Sequence, residues 1–144
     1  MDHKRFGLGV FAFIIATSLV AGAAEAPDTR VSLDLNPAQQ EALKATMREH
    51  LSALEAIVDA LGREDYDKAA ALAHNELGFP KHHEAMQREM GAGFPNAYMD
   101  LAMAHHQAAE DLSGAIEGKD ADSILKQLAK TIHACTACHG AFKL

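Results

Sequence analysis

Near the end of a 144-residue chain, Cys135-Thr136-Ala137-Cys138-His139 spell C-x-x-C-H, and no other stretch restricts the fold as tightly. On a helix the two cysteines and the histidine stand at i, i+3 and i+4 and project from one face. Two thiols so placed can each close a thioether to a haem vinyl group, with the adjoining imidazole beneath the iron as an axial ligand. A chain that uses the motif this way must fold around a large apolar cofactor fixed at three points.

Other uses of the same residues are weaker. A structural zinc site wants four ligands, and the chain has only these two cysteines. A thioredoxin-like pair needs a thiolate, which a helix N-terminus favours, whereas this pair sits near a helix end of the opposite polarity. A plain disulfide stays open in an oxidising compartment.

The chain begins with the pattern of a secretory signal. Lys4 and Arg5 precede an apolar run from Phe6 to Val20, and Ala21-Gly22-Ala23-Ala24 supplies small residues for cleavage just before Ala24 or Glu25. An uncleaved anchor is the alternative, weakened by glycines and by Thr17 and Ser18 within the run. Export agrees with C-x-x-C-H, and the bacterial periplasm is the expected location. Residues 25–144 then form one domain with one core. Removing Asp2, Lys4 and Arg5 from 20 acidic and 13 basic residues leaves 19 against 11, a formal charge of −8. That balance argues against nucleic acid and against an anionic membrane surface, and permits a basic redox partner.

The 25–144 segment is rich in Ala, Leu, Glu and Gln and reads as all-α. Glu25 to Leu35 is an extended, poorly ordered lead-in. Asn36-Pro37-Ala38-Gln39 opens a first helix, expected over Pro37 to Leu61 on a stripe of Leu43, Met47, Leu51, Leu54, Val58 and Leu61. Asp65 caps a second helix that Gly78 ends. A longer connection from Phe79 to Phe94 holds one or two helical turns around His83 to Met90. Pro95 opens a third helix with Tyr98, Leu101, Ala102, His105, Ala109, Leu112 and Ile116 inward. Asp120 caps the fourth, with a stripe of Ile124, Leu128, Ile132, Cys135, His139 and Phe142. Short, long and short connections between four helices predict an antiparallel four-helix bundle with the haem near the C-terminal end of the last one.

A haem motif ending the fourth helix of a bundle, closed by Phe142-Lys143, resembles the class II c-type cytochromes, the cytochrome c′ and cytochrome c556 family. The resemblance covers residues 25–144 in architecture, while its specific motif is Cys135 to Lys143. It implies covalent haem c on Cys135 and Cys138, His139 as proximal iron ligand and Lys143 near the proximal pocket. Within the family, Leu43-Lys44-Ala45-Thr46-Met47-Arg48 looks like the c556 pattern, in which Met47 is the distal ligand and the iron carries electrons. A cytochrome c′ instead leaves the iron five-coordinate and binds nitric oxide or carbon monoxide, with Met47 as packing.

Other histidines and methionines leave a third option. His50 and His105 are within reach of the iron or are ordinary core histidines. His82, His83, Met86 and Met90, and Met99, Met103 and His106, could hold a soft metal such as copper in a haem-free bundle, or simply pack. No arrangement for hydrolytic chemistry is visible, so an enzyme is not expected. Redox partner proteins and the haem-attachment machinery are the expected partners, and homodimerisation through the first two helices stays open.

Overall fold

The structure is a computed structural model that describes residues 27–89 and 91–144. The secretory signal expected over residues 1–24, and Met90, lie outside the described residues. Among those described, no helix is long and apolar enough to cross a membrane.

The chain is all-α. Among the described residues five helices follow one another: α1 (Pro37–Gly62), α2 (Tyr66–Leu72), α3 (Phe79–Arg88), α4 (Asn96–Glu117) and α5 (Ala121–Ala141), with α2 running on into one π-helical stretch, Ala73–Leu77. Their starts follow from local chemistry. The Asn36 side chain accepts from the Gln39 amide at 3.0 Å while Gln39 accepts from the Asn36 amide at 3.0 Å, a reciprocal cap ahead of Pro37. Asp65 and Asp120 accept from the amides of Lys68 and Ser123 and cap α2 and α5. The α3 start is different: Glu110, from α4, accepts from the Phe79 amide at 2.8 Å.

Several expectations change. Glu64 (φ 59°) and Lys119 (φ 55°), neither a glycine, supply the left-handed turns after α1 and α4. The connection before α4 holds a regular ten-residue helix. From Pro27 on, the lead-in is extended and tied down: Val31–Ser32 (β1) pairs in parallel with Phe142–Lys143 (β2), and Leu33 and Leu35 are buried. Phe142 therefore ends α5 in extended backbone and does not continue its stripe.

On α1 the buried residues are Leu43, Thr46, Ala53, Ile57 and Ala60, while Leu51 and Val58 are exposed. Small side chains let α1 close onto Ala69, Ala70 and Ala73 of the next element, and the same core takes in Leu77, Ala109, Leu112 and Ile116. A second cluster joins Leu33, Leu35, Leu43, Tyr98 and Phe142 at the end where the two short strands meet. On α5, Ile124 and Thr131 are the buried residues, and Ile132 is exposed. Packing of α5 is chiefly against α4.

Candidate cofactor site

A cavity of about 400 Å³, lined mainly by apolar side chains, opens between α1 and α5 and reaches residues of both core clusters. Helix α1 contributes Met47, His50, Leu51 and Leu54; α3 contributes His82 and Met86; α5 contributes Ile132, Cys135, Cys138 and His139. Exposure of Leu51 and Ile132 has its explanation here, because both border this opening. A second cavity of about 460 Å³ adjoins it, and Met47, Arg48, Tyr98, Cys138 and His139 line both. Each volume falls within the roughly 300–1,000 Å³ typical of small-molecule and cofactor sites.

The wall of the second cavity carries Arg30, Lys44, Arg48 and Lys143. Arg30 and Lys143 both meet Asp28, and Lys44 meets Glu41. Lys143 is not a free helix-terminal lysine: its Nζ lies 3.3 Å from Asp28 and its carbonyl accepts from the Leu33 amide at 3.0 Å.

Cys135 and Cys138 are free and half-buried. Burial pushes both thiols above the ordinary cysteine range, and Cys135 adds to the shift of Cys138. Neither is poised as a thiolate. The Cys135 S–H donates to the Thr131 carbonyl at 3.4 Å. His105 Nδ1 lies 3.7 Å from the same sulfur, so the N–H of His105 points to sulfur and its Nε2 carries the lone pair. That Nε2 is buried and has no hydrogen-bond partner.

His106, next along α4, is also buried. Its Nδ1–H donates to the Leu77 carbonyl at 2.7 Å, which leaves Nε2 as the acceptor nitrogen. Leu77 ends the π-helical stretch, and Gly78 follows because a Cβ there would collide with the Glu110 carboxylate and the His74 carbonyl. Glu110 is itself held by His74, whose Nδ1–H donates at 2.7 Å. A packed turn thus orients the His106 ring.

His50 completes the group from α1. Its ring centroid is 5.0 Å from that of His105 and 5.6 Å from that of His106, and its Nε2 is likewise shielded and unpartnered. One ring nitrogen from each of the three lies within 4.8 Å of the others. Burial, and then the neighbouring His105 and His106, lower the His50 pKa to about 3. Burial, and then His106 and His139, lower that of His105 to about 4. Burial also lowers His106 and His82. All four favour the neutral form, with a lone pair free to bind a metal.

Met47 is half-buried on the cavity wall and His139 is exposed at it. The two His and Met groups picked out by sequence spacing are split: His82, Met86, Met99 and His106 line the cavity, whereas His83 and Met103 are exposed. His50 and His105, expected to reach the iron or to be ordinary core histidines, share a cluster with His106. Glu89 is another residue that spacing did not reveal. It lines the cavity, is buried, and accepts from Thr46 Oγ1 at 2.7 Å, with burial raising its pKa.

Comparison with protein-family models, with curated protein sequences and with solved structures finds no match.

Proposed function

We propose that this chain is a periplasmic c-type cytochrome that carries electrons, with one haem held covalently by Cys135 and Cys138 and ligated by His139 and Met47. The observation that carries this reading is convergence: these four residues, from α1 and α5, line one cofactor-sized apolar cavity. The finer architecture proposed with it is an antiparallel four-helix bundle, α1, α2, α4 and α5, with α3 inserted in the long connection. Residues 1–24 serve as the export signal.

The residues present suit the group. Cys135 and Cys138 would hold the group by thioethers, each S–H adding across a vinyl double bond, sulfur to one carbon and hydrogen to the other, so that attachment would need no oxidant. The apolar lining of the first cavity matches the macrocycle, and Arg48, which lines both cavities, is placed to meet one of its carboxylates. When bound, haem supplies iron that cycles between ferrous and ferric states. The chain's own part would be to ligate that iron through His139 and Met47 and to keep water from it with Leu54, Leu101 and Ile132. As a soft thioether ligand, Met47 would favour the ferrous form and raise the potential.

Attachment is tested by expressing the chain in a periplasm with haem-attachment machinery, then denaturing and acid-extracting it. Wild-type protein is expected to keep one haem on the chain by mass. The Cys135→Ala/Cys138→Ala double variant is expected to keep none, and haem surviving extraction in that variant contradicts the reading.

A further inference from the structure

We propose that His50, His105 and His106 form a second metal site, which binds one divalent late transition ion of the zinc or copper class on the inner wall of the cavity. Three features of the cluster carry this, and none involves Cys138, His139 or Met47.

The first is proximity. One nitrogen per ring, from two helices, lies within 4.8 Å of the others. Zinc–imidazole bonds of about 2.0–2.1 Å require such nitrogens to draw together by only about an ångström. The second is orientation. The outer nitrogen of His106 is fixed by the Leu77 carbonyl at 2.7 Å, and that of His105 by the Cys135 sulfur. Metal-binding histidines are held in this way, with one nitrogen tied to a protein acceptor and the other aimed at the ion. The third is the unmet need. The Nε2 atoms of His50 and His105 are buried without partners, which ordinary core histidines avoid.

An all-imidazole set selects zinc, copper, nickel or iron over magnesium or calcium. Three protein ligands leave a coordination position open, as in reactive and not purely structural sites. His82, whose ring centroid is 4.7 Å from that of His106, adds a further imidazole next to the group. Buried Glu89 on the same cavity wall supplies a carboxyl that can ionise to balance the ion's charge.

The test uses the full exported protein with whatever haem it carries, stripped with a chelator and dialysed against Zn²⁺. Zinc and iron per chain, the visible spectrum and far-UV circular dichroism are read on each sample. Wild type is expected to hold one zinc in addition to any haem iron. His50→Gln and His106→Gln are expected to bind zinc at least about 100-fold more weakly, beyond the roughly 10–100-fold that outer-shell changes cost. Their haem content and spectrum should not change. His133→Gln, an exposed histidine elsewhere on α5, should bind zinc as wild type does. Zinc K-edge absorption on wild type covers the case of a variant that fails to fold, and should show three imidazole nitrogens. No retained zinc, a zinc edge without imidazole, or a haem spectrum altered in the His50 or His106 variants overturns the proposal, the last because the imidazole then belongs to the haem iron. A colourless protein that binds one zinc through these residues keeps this site while the haem reading falls.

Discussion

Met47 of α1 and His139 of α5, far apart in sequence, line the same two adjoining cavities. If they are the two axial ligands, Met47→Ala opens one face of the iron without touching the cysteines. We expect covalent haem content to stay at one per chain, the reduced spectrum to broaden to a high-spin form, and carbon monoxide to bind. An unchanged low-spin spectrum would make Met47 a packing residue.

The Glu49 carboxylate is held by two cations from α3. Arg88 donates to both of its oxygens at 2.8 and 2.9 Å, and Lys81, whose side chain is only 6% exposed, lies 2.9 Å away. Burial alone would lower the Lys81 pKa, but hydrogen bonds to Glu49 and Glu84 outweigh it. Glu49→Gln is expected to cost about 1–2 kcal/mol in urea unfolding, a modest figure because Glu49 is 41% exposed and screened. Glu84→Gln, on the more exposed partner, should cost less.

Acid should weaken the chelator-treated protein in two stages. In the folded state His50 and His105 take protons only near pH 3 and 4, against an ordinary value of 6.5. Lys81 and Glu49 face His50 along with the other two imidazoles, and burial dominates them all. Between those values the unfolded chain binds more protons, so stability rises with pH there and is lost as pH falls from about 6.5. Glu49, held at about 2 by Arg88 and then Lys81, adds a second loss below its ordinary value of 4.5. Glu89, raised by burial, works in the opposite sense. Urea midpoints across pH 7 to 4 should fall steadily; a flat profile would contradict neutral buried imidazoles.

The C-terminal strand is part of the core. Phe142 is 9% exposed and meets the Tyr98 ring edge-on at a centroid distance of 5.6 Å. Phe142→Ala should cost about 3 kcal/mol, whereas Leu125→Ala, at a site 63% exposed, should stay within about 0.5 kcal/mol. Thermal unfolding of both variants checks the contrast.

Helix starts were legible in the sequence because caps are local: Asn36, Asp65 and Asp120 act within three residues of themselves. The inward face of α1 was not. Counting large apolar residues selects Leu51 and Val58, but close packing uses Ala53 and Ala60, and Leu51 turns to the cavity edge. The expectation for Cys135, Cys138 and His139 rests on their spacing on one helix. The His50, His105 and His106 group was not legible in this way, because His50 comes from α1 and only the fold brings it beside the α4 pair. A pair of adjacent histidines, His105-His106, was the one local hint. The paired end strands were hidden too, since Val31–Ser32 and Phe142–Lys143 are each too short to show a period.

The most direct test of the central claim is the visible spectrum of the exported protein, oxidised and reduced, with and without carbon monoxide. A covalent haem with a sharp low-spin reduced spectrum indifferent to the gas is the predicted result, and fits His139 and Met47 on the iron. A broad high-spin spectrum that shifts with carbon monoxide would contradict the electron-carrier reading and make this a gas-binding cytochrome c′. A colourless protein would contradict both.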